Sequence, residues 1–192
     1  MRCRTFRVRG VFLFLFAALA AISCSQITVT SDYDPATNFS TYKTYDWIPT
    51  PQKPGGDLRL ETPFLATRIR EAVDAQMETR GYRKRESEPP DLLIAYHVAI
   101  QGKLDISTVP ATYGYGYRGV RAGASTTTVR PYEEGTLVLD MIDGPSKQLI
   151  WRGAAQAEIK ENATPEERQK RINEAVHKLL EQFPPKPDSR PR

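Results

Sequence analysis

The sequence predicts an α+β fold, a two-layer sandwich in which a mostly antiparallel sheet of about five strands carries two amphipathic helices on one face. Three observations predict it. Five stretches have the length and the apolar alternation or apolar run of β-strands. Two others repeat apolar residues at helical spacing behind N-capping residues. The order is strand, strand, helix, strand, long loop, strand, strand, helix, and each helix is apolar on one side only, so each needs a single surface to cover it.

The first strand is "ITVTSDYD" (27–34), where Ile27, Val29, Ser31 and Tyr33 alternate with Thr28, Thr30 and Asp32. In "PATNFSTYKTYDWIP" Tyr45 and Trp47 share one face of a second strand that ends at Pro49. Residues 49–61, "PTPQKPGGDLRLE", are rich in Pro and Gly and read as a loop. A helix follows, with Thr62 as N-cap, Pro63 at the first helical position and Gly81 just past its end. Leu65, Ile69, Ala72, Val73 and Met77 form its apolar stripe. "PPDLLIAYHVAI" is apolar on both parities, which predicts a central strand over about 91–101 covered on most of both faces. A Tyr/Gly-rich loop is expected over 103–131. "EGTLVLDMID" and "KQLIWRGAAQAEI" are then two strands joined by a turn at "DGPS" (143–146). The last helix has Thr164 as N-cap, Pro165 next and Glu167 at the capping-box position, with Ile172, Val176, Leu179, Leu180 and Phe183 on its stripe. "PPKPDSRPR" stops it, and residues 186–192 are expected to be a disordered tail behind a single domain over 27–185.

Ahead of the domain, residues 1–23 place Arg2, Arg4, Arg7 and Arg9 before an apolar run from Val11 to Ile22, with no acid. This is the order of a bacterial export signal. The run of twelve is short of the roughly 20 apolar residues that span a bilayer, so a retained anchor is the weaker reading. "AAISC" looks like a lipobox, which makes Cys24 the expected acylated residue and 24–26 a short lipidated tether. Ala21 departs from the Leu more usual in that motif, and cleavage after Ala18-Leu19-Ala20 by an ordinary signal peptidase is the competing reading. The residue after the cysteine is Ser25 rather than Asp, and the resemblance to bacterial lipoproteins implies that this favours the outer membrane, facing the periplasm. The only other cysteine, Cys3, lies in the signal, so no disulfide or cysteine nucleophile is expected in the domain. The net charge of +4 comes from the four signal arginines: 27 − 4 leaves 23 basic residues against 23 acidic ones. No basic face for nucleic acid is indicated, and "RKR" (83–85) reads as a solvated turn.

"FSTYKTYDW", the "GY" after the first helix, "PPDLLIAYHV", the Gly/Tyr-rich insertion, "YEEGTLVLDMID", "LIWRGAA" and the closing "FPP" together resemble bacterial lipoproteins of domain-of-unknown-function family 4136. The resemblance covers nearly the whole chain after the signal. It implies an envelope lipoprotein with an α+β domain and brings no catalytic residues.

Chemistry-bearing residues are few. "TYGYGYRGVRAG" (112–123) matches GxGxxG at Gly114, Gly116 and Gly119, but it leads toward a strand, whereas a dinucleotide loop turns directly into a helix. Neither a nucleotide nor any other cofactor is expected. Its Tyr113, Tyr115, Tyr117, Arg118 and Arg121, with Arg130 and Tyr132 beyond, offer stacking faces and cations for a glycan, an envelope protein or anionic lipid. His97 and Asp140 could form an acid–base pair if their strands are neighbours, although an acid on the wet face of a strand needs no function. His97 and His177 lack metal-motif spacing, so no metal is expected. No nucleophile elbow, Walker loop or zinc-protease motif occurs. The expected protein is a non-catalytic outer-membrane lipoprotein, a structural or interaction module of the envelope that touches the membrane through lipidated Cys24. The alternatives are a periplasmic ligand- or glycan-binding domain that uses the Tyr/Gly loop and, third, a hydrolase built on His97.

Overall fold

The structure is a computed structural model, and it describes residues 26–49, 59–60, 62–85, 89–109, 115–116, 119–120 and 126–186. The segment expected to be an export signal (1–23), Cys24 and, apart from Lys186, the tail expected over 186–192 lie outside the described residues. The strands are β1 (Thr28–Tyr33), β2 (Thr44–Trp47), β3 (Arg83–Lys84), β4 (Leu92–Val109), β5 (Tyr115–Gly116), β6 (Gly119–Val120), β7 (Thr126–Asp143) and β8 (Leu149–Glu158), and the helices are α1 (Pro63–Thr79) and α2 (Pro165–Leu180).

The fold is α+β, with a mixed sheet of six strands in the order β1-β8-β7-β4-β2-β3. Antiparallel pairing joins β1 to β8, β8 to β7 and β7 to β4. β2 runs parallel to both β3 and β4, and α1 supplies the long crossover that a parallel pair requires. The sheet is therefore larger than the five strands expected. The extra strand is β3, formed by the "RKR" stretch read as a turn: Arg83 N–H donates to Lys43 O at 2.9 Å and Arg85 N–H to Tyr45 O at 2.9 Å. Its side chains are exposed, so nothing in their pattern marks a strand; the pairing is entirely a matter of backbone.

Register puts Tyr45, Trp47, Leu92, Ile94, Leu139, Met141, Trp151 and Ala155 on one sheet face, and all are buried. Ile69, Val73 and Met77 of α1 and Val176, Leu179 and Leu180 of α2 join them in one core. Trp151 is fully buried, and its ring occupies the space over Gly153, where an added Cβ would lie 2.3 Å from it. The capping box of α2 forms as expected, with Thr164 Oγ1 accepting from Glu167 N–H at 3.2 Å and Glu167 accepting from Thr164 N–H at 2.8 Å. Thr62 holds the N-cap of α1, but its side chain makes no capping bond.

Two outcomes differ from expectation along β4. The face bearing Leu93, Ala95, His97 and Ala99 is only partly covered, and His97 and Ala99 are exposed. β4 and β7 also run far past the sheet and pair without a break from Leu92↔Asp143 to Val109↔Thr126. Residues 103–109 and 126–131, expected within the Tyr/Gly loop, are thus a two-stranded arm. Leu104, Ile106 and Val129 are exposed on it, so burial gives no signal of its length.

Candidate functional site

Strand register brings together the one acid–base pair that the sequence suggested. Ala95 faces Asp140, and Asp140 faces Arg152 on β8, which sets His97 of β4 diagonally beside the same carboxylate. His97 Nε2 lies 3.7 Å from Asp140 Oδ2. The stronger partner is Arg152, whose Nε and Nη2 donate to the two carboxylate oxygens at 2.6 and 2.7 Å. Asp140 is the only charged or polar residue buried among the described residues, at 4% exposure. The bidentate fork answers both of its oxygens, and that hydrogen bonding with the facing charge holds the Arg152 guanidinium above its ordinary range. Both carboxylate oxygens are thus engaged by Arg152, at 2.6 and 2.7 Å, while the His97 side chain is 64% exposed and its Nε2, at 3.7 Å, is beyond the roughly 2.6–3.2 Å of a proton-transfer contact.

A second polar group ties the loops at one end of the sheet. Asp91 accepts from Lys43 N–H at 2.9 Å and Thr44 N–H at 2.8 Å, and its own N–H donates to Thr44 Oγ1 at 3.0 Å. Those backbone donors, Lys43 first, hold the Asp91 carboxyl below the usual carboxylate range. Asp143 accepts from Ser146 through both N–H and hydroxyl and from the Tyr42 hydroxyl at 3.0 Å, with the same downward effect. Burial, then Asp143, pushes the Tyr42 phenol up to about 12. Between them Gly144 N–H donates to Asp91 O at 2.7 Å, and an added Cβ at this position would stand 1.9 Å from Pro90 O. These bonds tie the segments around Thr44, Asp91 and Asp143 to one another, the pattern of a structural clasp.

Of the other candidates, Tyr113, Tyr117, Arg118 and Arg121 lie outside the described residues. Tyr115 begins the short β5, which pairs antiparallel with β6 so that Gly116 faces Gly119. These two glycines of the GxGxxG match therefore sit in a hairpin, and the next described element is a strand, β7. Nearby on the arm, Arg130 stacks 5.7 Å from the Tyr132 ring and forms a bidentate pair with Glu158. Among the described residues no group of three or more side chains could hold a metal ion, and no helix is long and apolar enough to cross a membrane.

Sequence reasoning missed a cavity of about 510 Å³. It opens at the end of the core nearest the root of the arm, and Ile27, Leu65, Ile69, Val98, Leu137 and Ile172 contribute apolar wall. The cause lies in the sheet. At one end Met141 pairs with Trp151 and fills the core, whereas at the other Gly135 pairs with Ala157 and Leu137 with Ala155. The small residues are visible in "WRGAAQA", but their alignment with helix residues from two distant segments is not.

The chain belongs to the DUF4136 family, described as a domain of unknown function, which matches residues 29–185. No curated protein matches it in sequence. Among solved structures it is similar to a PDZ domain protein from Parabacteroides distasonis, at 14% identity and a TM-score of 0.53 over 84% of this chain. It spans only 37% of the length of that protein. PelC from Paraburkholderia phytofirmans, solved as a dodecamer, matches at 11% identity and a TM-score of 0.47, over 81% of this chain and 95% of that one. At such identities the likeness concerns the fold alone.

Proposed function

We propose that this DUF4136-family chain is a non-catalytic lipoprotein of the bacterial envelope, acylated at Cys24 and held at the outer membrane facing the periplasm as a structural or interaction module. The observation that carries this reading is the position of the first strand. Ile27 is already buried in the core and β1 begins at Thr28, so only Ser25 and Gln26 separate Cys24 from the folded domain, a span of three residue steps. At ~3.5 Å per residue the tether is roughly 10 Å long, and the domain would sit against the bilayer. More than one acyl chain gives stable anchoring where a single chain binds only marginally. The occupation of Asp140 by Arg152 supports the non-catalytic part. A two-layer arrangement, with both helices on the sheet face of Tyr45, Ile94 and Trp151, belongs to the same reading and is supported by their shared core. Metabolic labelling with palmitate tests the anchor: wild type should incorporate label and fractionate with the outer membrane, and Cys24→Ala should do neither. Equal labelling of the two proteins would refute it.

A further inference from the structure

We propose that the cavity of about 510 Å³ is a binding site for a free long-chain carboxylate, a single-chain anionic amphiphile of the fatty-acid class. Its volume lies within the roughly 300–1,000 Å³ of small-molecule sites, which are mostly apolar with a few convergent polar groups. The walls come from β4, β7, β8 and both helices. The small residues Gly135, Ala155, Ala157 and Ala175 line it where larger ones would have closed the core. Such a space suits a flexible hydrocarbon chain.

The mouth supplies the charge preference. Six basic residues and four acidic ones line the cavity, a difference of two in favour of cations. Residues outside the lining already pair with two of the acids, Glu158 with Arg130 and Glu174 with Lys178, and with one of the cations, Arg59 with Glu133, so cations stay in excess; Glu167 is held in the α2 capping box. Arg68 and Thr62 also line the cavity, and Thr62 leaves the first turn of α1 without a side-chain cap. The Arg68 guanidinium and the positive end of the α1 dipole favour an anionic head at this end, with the tail directed toward Ile69 and Leu137. α2, whose capping box is closed, offers no comparable place. An uncharged amphiphile would gain only the apolar contact.

The test measures binding of palmitate to the full chain by equilibrium dialysis, with hexadecanol and octanoate as comparisons. Palmitate should bind one per chain and raise the melting temperature, and octanoate, with half the tail, should bind at least tenfold more weakly. Filling the cavity by Ala157→Phe with Ala175→Phe should weaken palmitate at least tenfold while cooperative melting is retained. Arg68→Glu should weaken palmitate by a similar factor and leave hexadecanol unchanged. If the filled variant does not melt cooperatively, Ala175→Cys replaces it: palmitate should slow alkylation of that thiol, as located by mass spectrometry. Absence of binding, equal affinity in a folded filled variant, or no protection of Ala175→Cys would overturn the assignment. Binding by Cys24→Ala but not by wild type would also overturn it, because the chain's own acyl group would then be the occupant. Loss of palmitate labelling in wild type bears on the anchor and leaves this assignment standing.

Discussion

Replacing Arg152 by Met tests whether the Asp140–Arg152 pair is a structural neutralisation rather than part of a reactive site. The substitution keeps much of the aliphatic stem and removes both donors, at 2.6 and 2.7 Å, from a carboxylate whose side chain is 5% exposed. Breaking a fully buried pair by removing one partner costs about 3–5 kcal/mol. The guanidinium here is 53% exposed, so water can reach the vacated side, and His97 at 3.7 Å offers a weaker substitute. The expected loss is therefore smaller, about 2 kcal/mol, or roughly 4–8 °C in melting temperature for a domain of this size. Urea denaturation of wild type, Arg152→Met, Asp140→Leu and the double variant measures it. The double variant, which leaves no orphaned charge, should recover most of the loss, because replacing both partners by apolar groups is close to neutral. His97→Ala should change stability by less than ~0.5 kcal/mol, as an exposed surface substitution does. A loss under ~0.5 kcal/mol for Arg152→Met, or a double variant as unstable as the single one, would refute the reasoning.

Two further predictions concern the clasp at the end of the sheet. Gly144→Ala places a Cβ 1.9 Å from the backbone oxygen of Pro90, where no side-chain rotation can relieve the contact, and it threatens the 2.7 Å bond to Asp91 O. A loss of about 3 kcal/mol is expected by chemical denaturation, against a negligible change for Gly102→Ala, where an added Cβ meets nothing within 4 Å. Asp91 and Asp143 are both held below the ordinary carboxylate value of 3.8, so the unfolded chain takes up their protons first as pH falls. Their contribution is fully present well above pH 3.8 and is lost as pH drops through the lower folded values. Melting temperatures measured across the acid range should fall below about pH 4, and Asp143→Asn should flatten that slope; an unchanged slope would contradict the role given to Asp143.

The elements legible in the sequence are those whose signal is local. The α2 capping box needs only Thr164 and Glu167, three residues apart, and its buried stripe needs only helical spacing. In α1 the N-cap position was readable and the missing capping bond was not, since the hydroxyl's rotamer depends on its surroundings. β3 carries no such signal, because its two residues are cations outside the core and the strand is defined by backbone bonds to Lys43 and Tyr45. The arm was read as loop from residue 103 because its apolar residues face solvent, where alternation carries no burial to confirm it. The pairing of His97 with Asp140 could be suggested from strand parity. The intervention of Arg152 required the β7–β8 register, which a bulge between Met141 and Ile142 shifts.

By itself the sequence determined the family, the α+β class, the positions of both helices and the core faces of the strands, because period and capping chemistry act over a few neighbouring residues. The tertiary structure alone decided that Asp140 is neutralised, that Gly144 must lack a side chain and that the core stays open near Ile27. Each of these depends on which distant strand or helix lies opposite, and cross-strand register and side-chain volume summed over five elements leave no mark at any one position of the chain.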